Sequence, residues 1–271
     1  MAPAVTTLLH RRLVPGQIDR LVAEAPEHTV TLTDDHRRSL SARFRAVTTP
    51  GHRRLDAWNV EQAGRPAGGF RWSPATSRRA LGNGALRRRA GRATSLTDAV
   101  RDEVAEQLLR AAAGYAPPGS MAHWLASSSD PVVGIVTAEA VNWATQLDEV
   151  AAGIARPWTV APSDAYYDVA AGRTTLRARR DLVVARDGDR IVLRVRSGAP
   201  GKSAGPGLRA DLTTETLAHP AGLAPVRFIG LWPEAGVCLA VDGTMDDLRA
   251  GARDLVRTAV AQRRLRTPRA A

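Results

Sequence analysis

"RRDLVVARDGDRIVLRVRSGAPGKSAGPG", residues 179–207, is the stretch on which the reading of this chain turns. Two runs rich in β-branched residues, "LVVAR" and "RIVLRV", flank Asp187-Gly188, the dipeptide favoured in a two-residue type I′ turn. With those two residues as the loop, position 186 faces 189. Counting outward then sets Asp181 opposite Arg194, and Arg179 opposite Arg196. Side chains alternate with period two, so Arg177, Arg179, Arg194 and Arg196 are expected on one face, with Asp181 in a cross-strand ion pair with Arg194.

The glycine-rich end of the stretch imitates two catalytic motifs. A phosphate loop needs four residues between its first Gly and Gly-Lys-Ser, so that backbone amides wrap the phosphates. Counting back from Gly201-Lys202-Ser203, that first position holds Arg196, and Pro206 and Gly207 are expected to prevent a helix from starting at Ser203. "GKSAG" also fits the G-x-S-x-G pattern at Ser203, but a nucleophile elbow joins a strand directly to a helix. Here the strand should end near Ser197, and Asp211 and His219 fall together on one helix. A flexible linker accounts for the segment better than either motif.

Working outward, the first half reads as helices. "TDDHRRSLSARFRAV" has Thr33 as an N-cap and Leu40, Phe44 and Val47 at helical spacing. "RRLDAWNVEQAG" continues as helix up to Gly64. "WSPATSRRALGNGALRRRAGR" starts at Ser73-Pro74 and should end or weaken at Gly82 and Gly84. "SLTDAVRDEVAEQLLRAAAG" opens with Ser95 and Asp98 as a capping box. After a short helix in "APPGSMAHWLASSSDP", the longest amphipathic run begins at Asp130-Pro131 and carries Val136, Ala140, Trp143, Leu147 and Val150. Past "RPW" the period changes. "WTVAPSDAYYDV", "TTLRARRDLVVAR", "RIVLRVRSG", "VRFIGLW" and "VCLAVD" read as strands, with helices at "LRADLTTETLAH" and "MDDLRAGARDLVRTAVAQRR". The expected organisation is a helical region over residues 1–115 and an α/β (α+β) domain over 116–271, a mixed sheet flanked by helices.

Composition bounds the class. The chain has 271 residues, one cysteine (Cys238) and a formal net charge of +11, and Lys202 is its only lysine. A single cysteine excludes an internal disulfide framework and suits a reducing cytoplasm. "MAPAVTTLLHRRLVPG" lacks the order of a signal peptide, and no apolar run approaches the roughly 20 residues of a membrane helix. A soluble cytoplasmic protein without a membrane partner is the expectation. Excess positive charge favours polyanions, nucleic acid first. Six histidines include no HExxH pair, and no dinucleotide fingerprint opens a βαβ unit. Hence no cofactor is expected.

The order helix, strand meander, helix, strand pair resembles the PD-(D/E)xK nuclease superfamily, in particular its helicase-associated exonuclease branch, over roughly residues 130–271. On that resemblance "RRDLVV" places Asp181 in the metal-binding position. "VLRVRSG" places Arg194 where the second acid belongs and Arg196 where the lysine belongs, with Ser197-Gly198 completing the pattern. Glu139 or Glu149 stands for the accessory acid. Enzymes of this kind hold Mg²⁺ with carboxylates, and a guanidinium at position 194 repels the ion and removes a ligand. The resemblance therefore implies a nuclease-like pseudoenzyme: a non-catalytic nucleic-acid-binding or accessory protein without metal. One alternative is a divergent Mg²⁺-dependent DNA nuclease using Asp181 with Glu139, Glu149 or Asp168. Another is a protein-interaction scaffold with no nucleic-acid role. Phosphate contacts are expected from Arg177, Arg179, Arg194 and Arg196. They are also expected from the acid-free stretch 71–92, with Arg78, Arg79, Arg87, Arg88 and Arg89.

Overall fold

The structure is a computed structural model that describes residues 6–9, 17–27, 29–47, 53–62, 72–90, 92–161, 163–186 and 189–266. It divides into two compact units, one formed by residues 1–67 with 153–271 and the other by residues 68–152. The expected boundary at 115/116 falls inside the second unit.

In chain order the first unit begins with β1 (Thr6–Leu9), α1 (Gln17–Ala23), α2 (Asp34–Val47), β2 (Arg53–Asp56) and α3 (Ala57–Glu61). The described elements of the second unit are helices: α4 (Pro74–Arg89), α5 (Leu96–Ala112), α6 (Met121–Ala126) and α7 (Asp130–Ala152). The first unit resumes with β3 (Trp158–Val160), β4 (Ala165–Val169), β5 (Thr174–Ala178), β6 (Leu182–Arg186) and β7 (Asp189–Val195). Then come α8 (Ala204–Ala218), β8 (Arg227–Trp232), β9 (Val237–Asp242) and α9 (Met245–Arg266). The chain is thus mixed α/β, with a largely helical N-terminal region and two mixed sheets flanked by helices.

The larger sheet runs β1-β9-β8-β7-β6-β3. Its one parallel pair is β7 with β8, and the other pairs are antiparallel. A parallel pair needs a crossover, which α8 supplies. The smaller sheet runs β2-β5-β4, with β2 parallel to β5. α8 packs against strands of both sheets and against α3 and α9, so from Leu208 to Leu217 all but Arg209 is buried. β8 is buried along its whole length and β7 from Ile191 to Val195. Strands covered on both faces read as continuous apolar runs, as "RFIGLW" does.

The hairpin register is the expected one, with Arg186 opposite Asp189 and Leu182 opposite Leu193. The turn residues Asp187 and Gly188 lie outside the described residues. Other expectations change, and "WTVAPSDAYYDV" is divided between β3 of the larger sheet and β4 of the smaller. "RRLD" is strand, not helix: Leu55 enters the core and Asp56 caps α3, accepting from the Asn59 N–H at 3.2 Å. "TTLRARRDLVVAR" is two strands in different sheets, broken where Arg180 turns aside to donate to the Ser163 carbonyl at 2.7 Å. α4 passes through Gly82 and Gly84 without stopping, because both lie at close approaches. A Cβ at Gly82 would press on Trp143 and the Ala140 carbonyl of α7, and one at Gly84 on Glu103 of α5. Finally, α8 starts at Ala204, directly after Ser203. Pro206 is tolerated because the N–H it lacks is an orphan in a first helical turn.

Among the described residues no helix is long and apolar enough to cross a membrane.

Candidate functional site

Four short elements and α8 bring charge into the interior of the first unit. β2 ends at Asp56 and hands over to α3, whose last residue is Glu61. β5 carries Arg177, β7 carries Arg194 with Arg196 one residue beyond it, and α8 carries Asp211. These six side chains form three ion pairs: Asp56 with Arg177, Glu61 with Arg196, and Asp211 with Arg194. All are buried or nearly so, and Asp211 has no exposed surface.

The parallel register of β2 and β5 sets Asp56 beside Arg177. Burial works against the Asp56 charge, but the Arg177 and Arg179 guanidinia outweigh it and hold the carboxyl below its ordinary range. Glu61 grips Arg196 with both oxygens, the bidentate fork that makes guanidinium–carboxylate pairs specific. Gly207 makes room for it, since a Cβ there would fall onto the Glu61 carboxylate. The other face of Arg196 covers the Trp232 ring at 4.9 Å, a cation–π contact.

Asp211 is held on one oxygen only: Arg194 donates to Oδ2, while Oδ1 is buried without a hydrogen-bond partner. Burial therefore pushes its carboxyl up to about 6 against the pull of Arg194. Arg194 shifts the same way for a different reason. Burial opposes its charge, but Asp211, Glu61 and Asp56 all face it and raise its pKa further.

The expected ion pair between Asp181 and Arg194 does not form: the paired register ends at Leu182 opposite Leu193, and Asp181, just before it, donates its backbone N–H to the Leu193 carbonyl at 2.9 Å. Asp181 is fully buried and accepts from the Val195 backbone N–H at 2.8 Å, while Arg194 reaches across to α8. The expected face of four arginines also divides, because Arg177 belongs to the smaller sheet and Arg194 to the larger. Arg179 is half-buried and acts on Asp56. In the helical unit, Glu139 binds Arg78 at 2.9 Å and Glu149 is exposed on α7. Asp168 sits on β4 and accepts from Thr175.

The arginines of α4 are engaged as well. Acids absent from stretch 71–92 arrive from α5 and α7. Arg88 binds Glu103 and Glu106, Arg89 binds Asp148 at 3.1 Å, and Arg78 also lies over Trp143 at 5.7 Å. Arg79 interacts with its surroundings too. Arg87 has its pKa lowered, first by burial and then by Arg79, against the pull of Glu103. Trp72 donates its indole N–H to the Gly119 carbonyl at 2.8 Å.

Sequence reasoning missed Asp56 and Glu61, which lie 121 and 135 positions from their arginine partners, and it saw Asp211 only as a failed triad member. The one available signal was an acid inside the otherwise apolar face of "LRADLTTETL". A buried acid needs a buried cation.

Chemically, this cluster offers no open carboxylate pair. A divalent ion requires several oxygens free to turn toward it, and here each of the three carboxylates is held in an ion pair with a guanidinium. Among the described residues no three His, Cys, Asp or Glu side chains are placed to share an ion. The donor set does not suit Mg²⁺. Nor does the thiol offer a nucleophile: Cys238 is buried on β9, which pushes its pKa up to about 12. Compared with known proteins, the chain matches no family model and no curated sequence.

Proposed function

We propose that the chain is a non-catalytic nucleic-acid-binding or accessory protein built on a nuclease-like sheet. The reading rests on one observation above all. The hairpin positions where a PD-(D/E)xK site needs an acid and a lysine hold Arg194 and Arg196, and both are locked in buried pairs with Asp211 and Glu61. The parallel β7–α8–β8 crossover beside an antiparallel hairpin is consistent with that ancestry. So is the excess of positive charge, which attracts a polyphosphate.

Phosphate contact falls to exposed guanidinia rather than to the paired ones named from the sequence. On α2 and α9 these include Arg38, Arg45 and Arg257. Arg38 and Arg257 have only exposed or weak partners three residues away, Asp35 and Asp254 at 3.8 Å, and such pairs are worth about 0–1 kcal/mol. They yield easily to phosphate.

The test is fluorescence anisotropy with duplex and single-stranded oligonucleotides between 50 and 200 mM salt. Affinity should fall linearly in log–log form, and Arg38→Gln, Arg45→Gln and Arg257→Gln together should flatten the slope by up to about 3. Incubation with Mg²⁺ or Mn²⁺ should leave both substrates intact. Cleavage that disappears in Asp181→Ala would instead place the chain among divergent nucleases. Absence of binding at 50 mM salt would leave a protein-interaction scaffold.

A further inference from the structure

A cavity of about 210 Å³ opens between α2, α8 and α9 of the first unit. Its floor is aliphatic: Leu32, Leu40, Leu217, Leu248, Met245 and Ala252. Its rim is cationic, with Arg43, Arg249 and Arg253, and its lining contains no Asp or Glu. Arg43 and Arg253 are exposed and have no hydrogen-bond or ion-pair partner among the described residues. Arg249 has only Asp246, at 3.7 Å and exposed. His36 is turned to Thr33, its Nδ1 2.9 Å from the hydroxyl. The polar atom of Thr213 is already used, donating to the Leu248 carbonyl at 3.2 Å, so the inner wall asks nothing polar of an occupant.

From this arrangement we infer a binding site for a short aliphatic carboxylate. The apolar floor takes the chain and the guanidinium rim takes the head group, whose two oxygens match the guanidinium fork. At roughly 30 Å³ for a water-sized group, the cavity accommodates a body of about six to eight carbons. The lining shares no residue with the charge cluster under β7 or with the arginines assigned to phosphate contact.

Octanoate and 1-octanol, added to the intact chain and followed by saturation-transfer NMR and calorimetry, test it. Octanoate should bind saturably, and octanol about tenfold or more weakly. Arg43→Gln with Arg253→Gln, both exposed and without structural partners, should weaken octanoate about tenfold or more while leaving the melting temperature and octanol binding unchanged. Ala252→Phe, which fills the floor, should abolish binding of both. Three results would overturn the site: no saturable binding of octanoate, equal affinity for octanol, or an arginine double variant that binds as wild type. Displacement of octanoate by a short oligonucleotide from the wild type but not from the Arg38, Arg45 and Arg257 variant would also overturn it, because the two sites would then not be independent.

Discussion

Asp211 is the residue whose environment has the sharpest measurable consequence. Its carboxyl is raised from an ordinary 3.8 to about 6 by burial. The folded state therefore holds that proton more tightly than the unfolded state does. A raised carboxyl favours folding below about pH 4, and the advantage is lost as pH rises through about 6. The span of roughly two units is worth at most about 3 kcal/mol. Asp211→Asn removes the titration, so the difference in urea midpoint between variant and wild type should change between pH 4 and 6. A constant difference would mean that Asp211 titrates normally. Arg194 gives the complementary experiment. Arg194→Met strands Asp211 as a buried charge and should cost about 3–5 kcal/mol at pH 8. Adding Asp211→Leu should recover most of that, since an apolar pair of similar volume often replaces a buried ion pair without loss. A double variant as unstable as the single would show that the charges themselves hold α8 to β7.

At the level of elements, two glycines in two helices are predicted to respond oppositely to the same change. Gly134 lies in α7 with nothing near the position of a new Cβ, so Gly134→Ala should stabilise by about 0.5–1 kcal/mol through helix propensity. Gly82 lies where α4 crosses α7, and its Cβ would displace Trp143. Overpacking of about 1–3 kcal/mol should exceed the same propensity gain, and the melting temperature should fall. The contrast also shows what a sequence can reveal. The starts of α4 and α5 were legible because a cap is a local device: Ser73 with Thr76, and Ser95 with Asp98, satisfy orphan N–H groups within four residues. β6 to β9 and the hairpin register were legible from apolar runs and one turn dipeptide, whereas β1 was not read as a strand. Gly82 misled because its reason for being glycine sits in another helix. "RRLD" misled because a four-residue strand leaves too little pattern to outweigh a helical neighbour. The break between β5 and β6 was hidden because an arginine-rich connection continues the alternation of both strands. The charge cluster was the least legible part, since each of its acids comes from a different element.

Across the whole molecule, the net charge of +11 is unevenly committed. In the helical unit Arg78, Arg88 and Arg89 of α4 are drawn into pairs with α5 and α7, and in the first unit the arginines under β7 are neutralised in the interior. What remains for partners is the exposed set, and the salt-dependent binding proposed above depends on it. The division into two compact units carries its own prediction. Each has a separate core, so unfolding should not be a single step. Hydrogen exchange followed along a denaturant titration should show α4 and α7 losing protection at a different concentration from β7 and β8. Coincident loss everywhere would mean one cooperative body.

The buried pairs also set the protein's mutational neighbourhood. An acid placed at 194 by a single exchange would face the Asp211 carboxylate, and a lysine at 196 would lose the two-pronged hold on Glu61. The acid at 194 alone should weaken the chain by a large share of the roughly 5–15 kcal/mol that keeps a domain folded. A change of sign at 194 is tolerated only if position 211 changes with it, so the interior fixes the two positions as a pair.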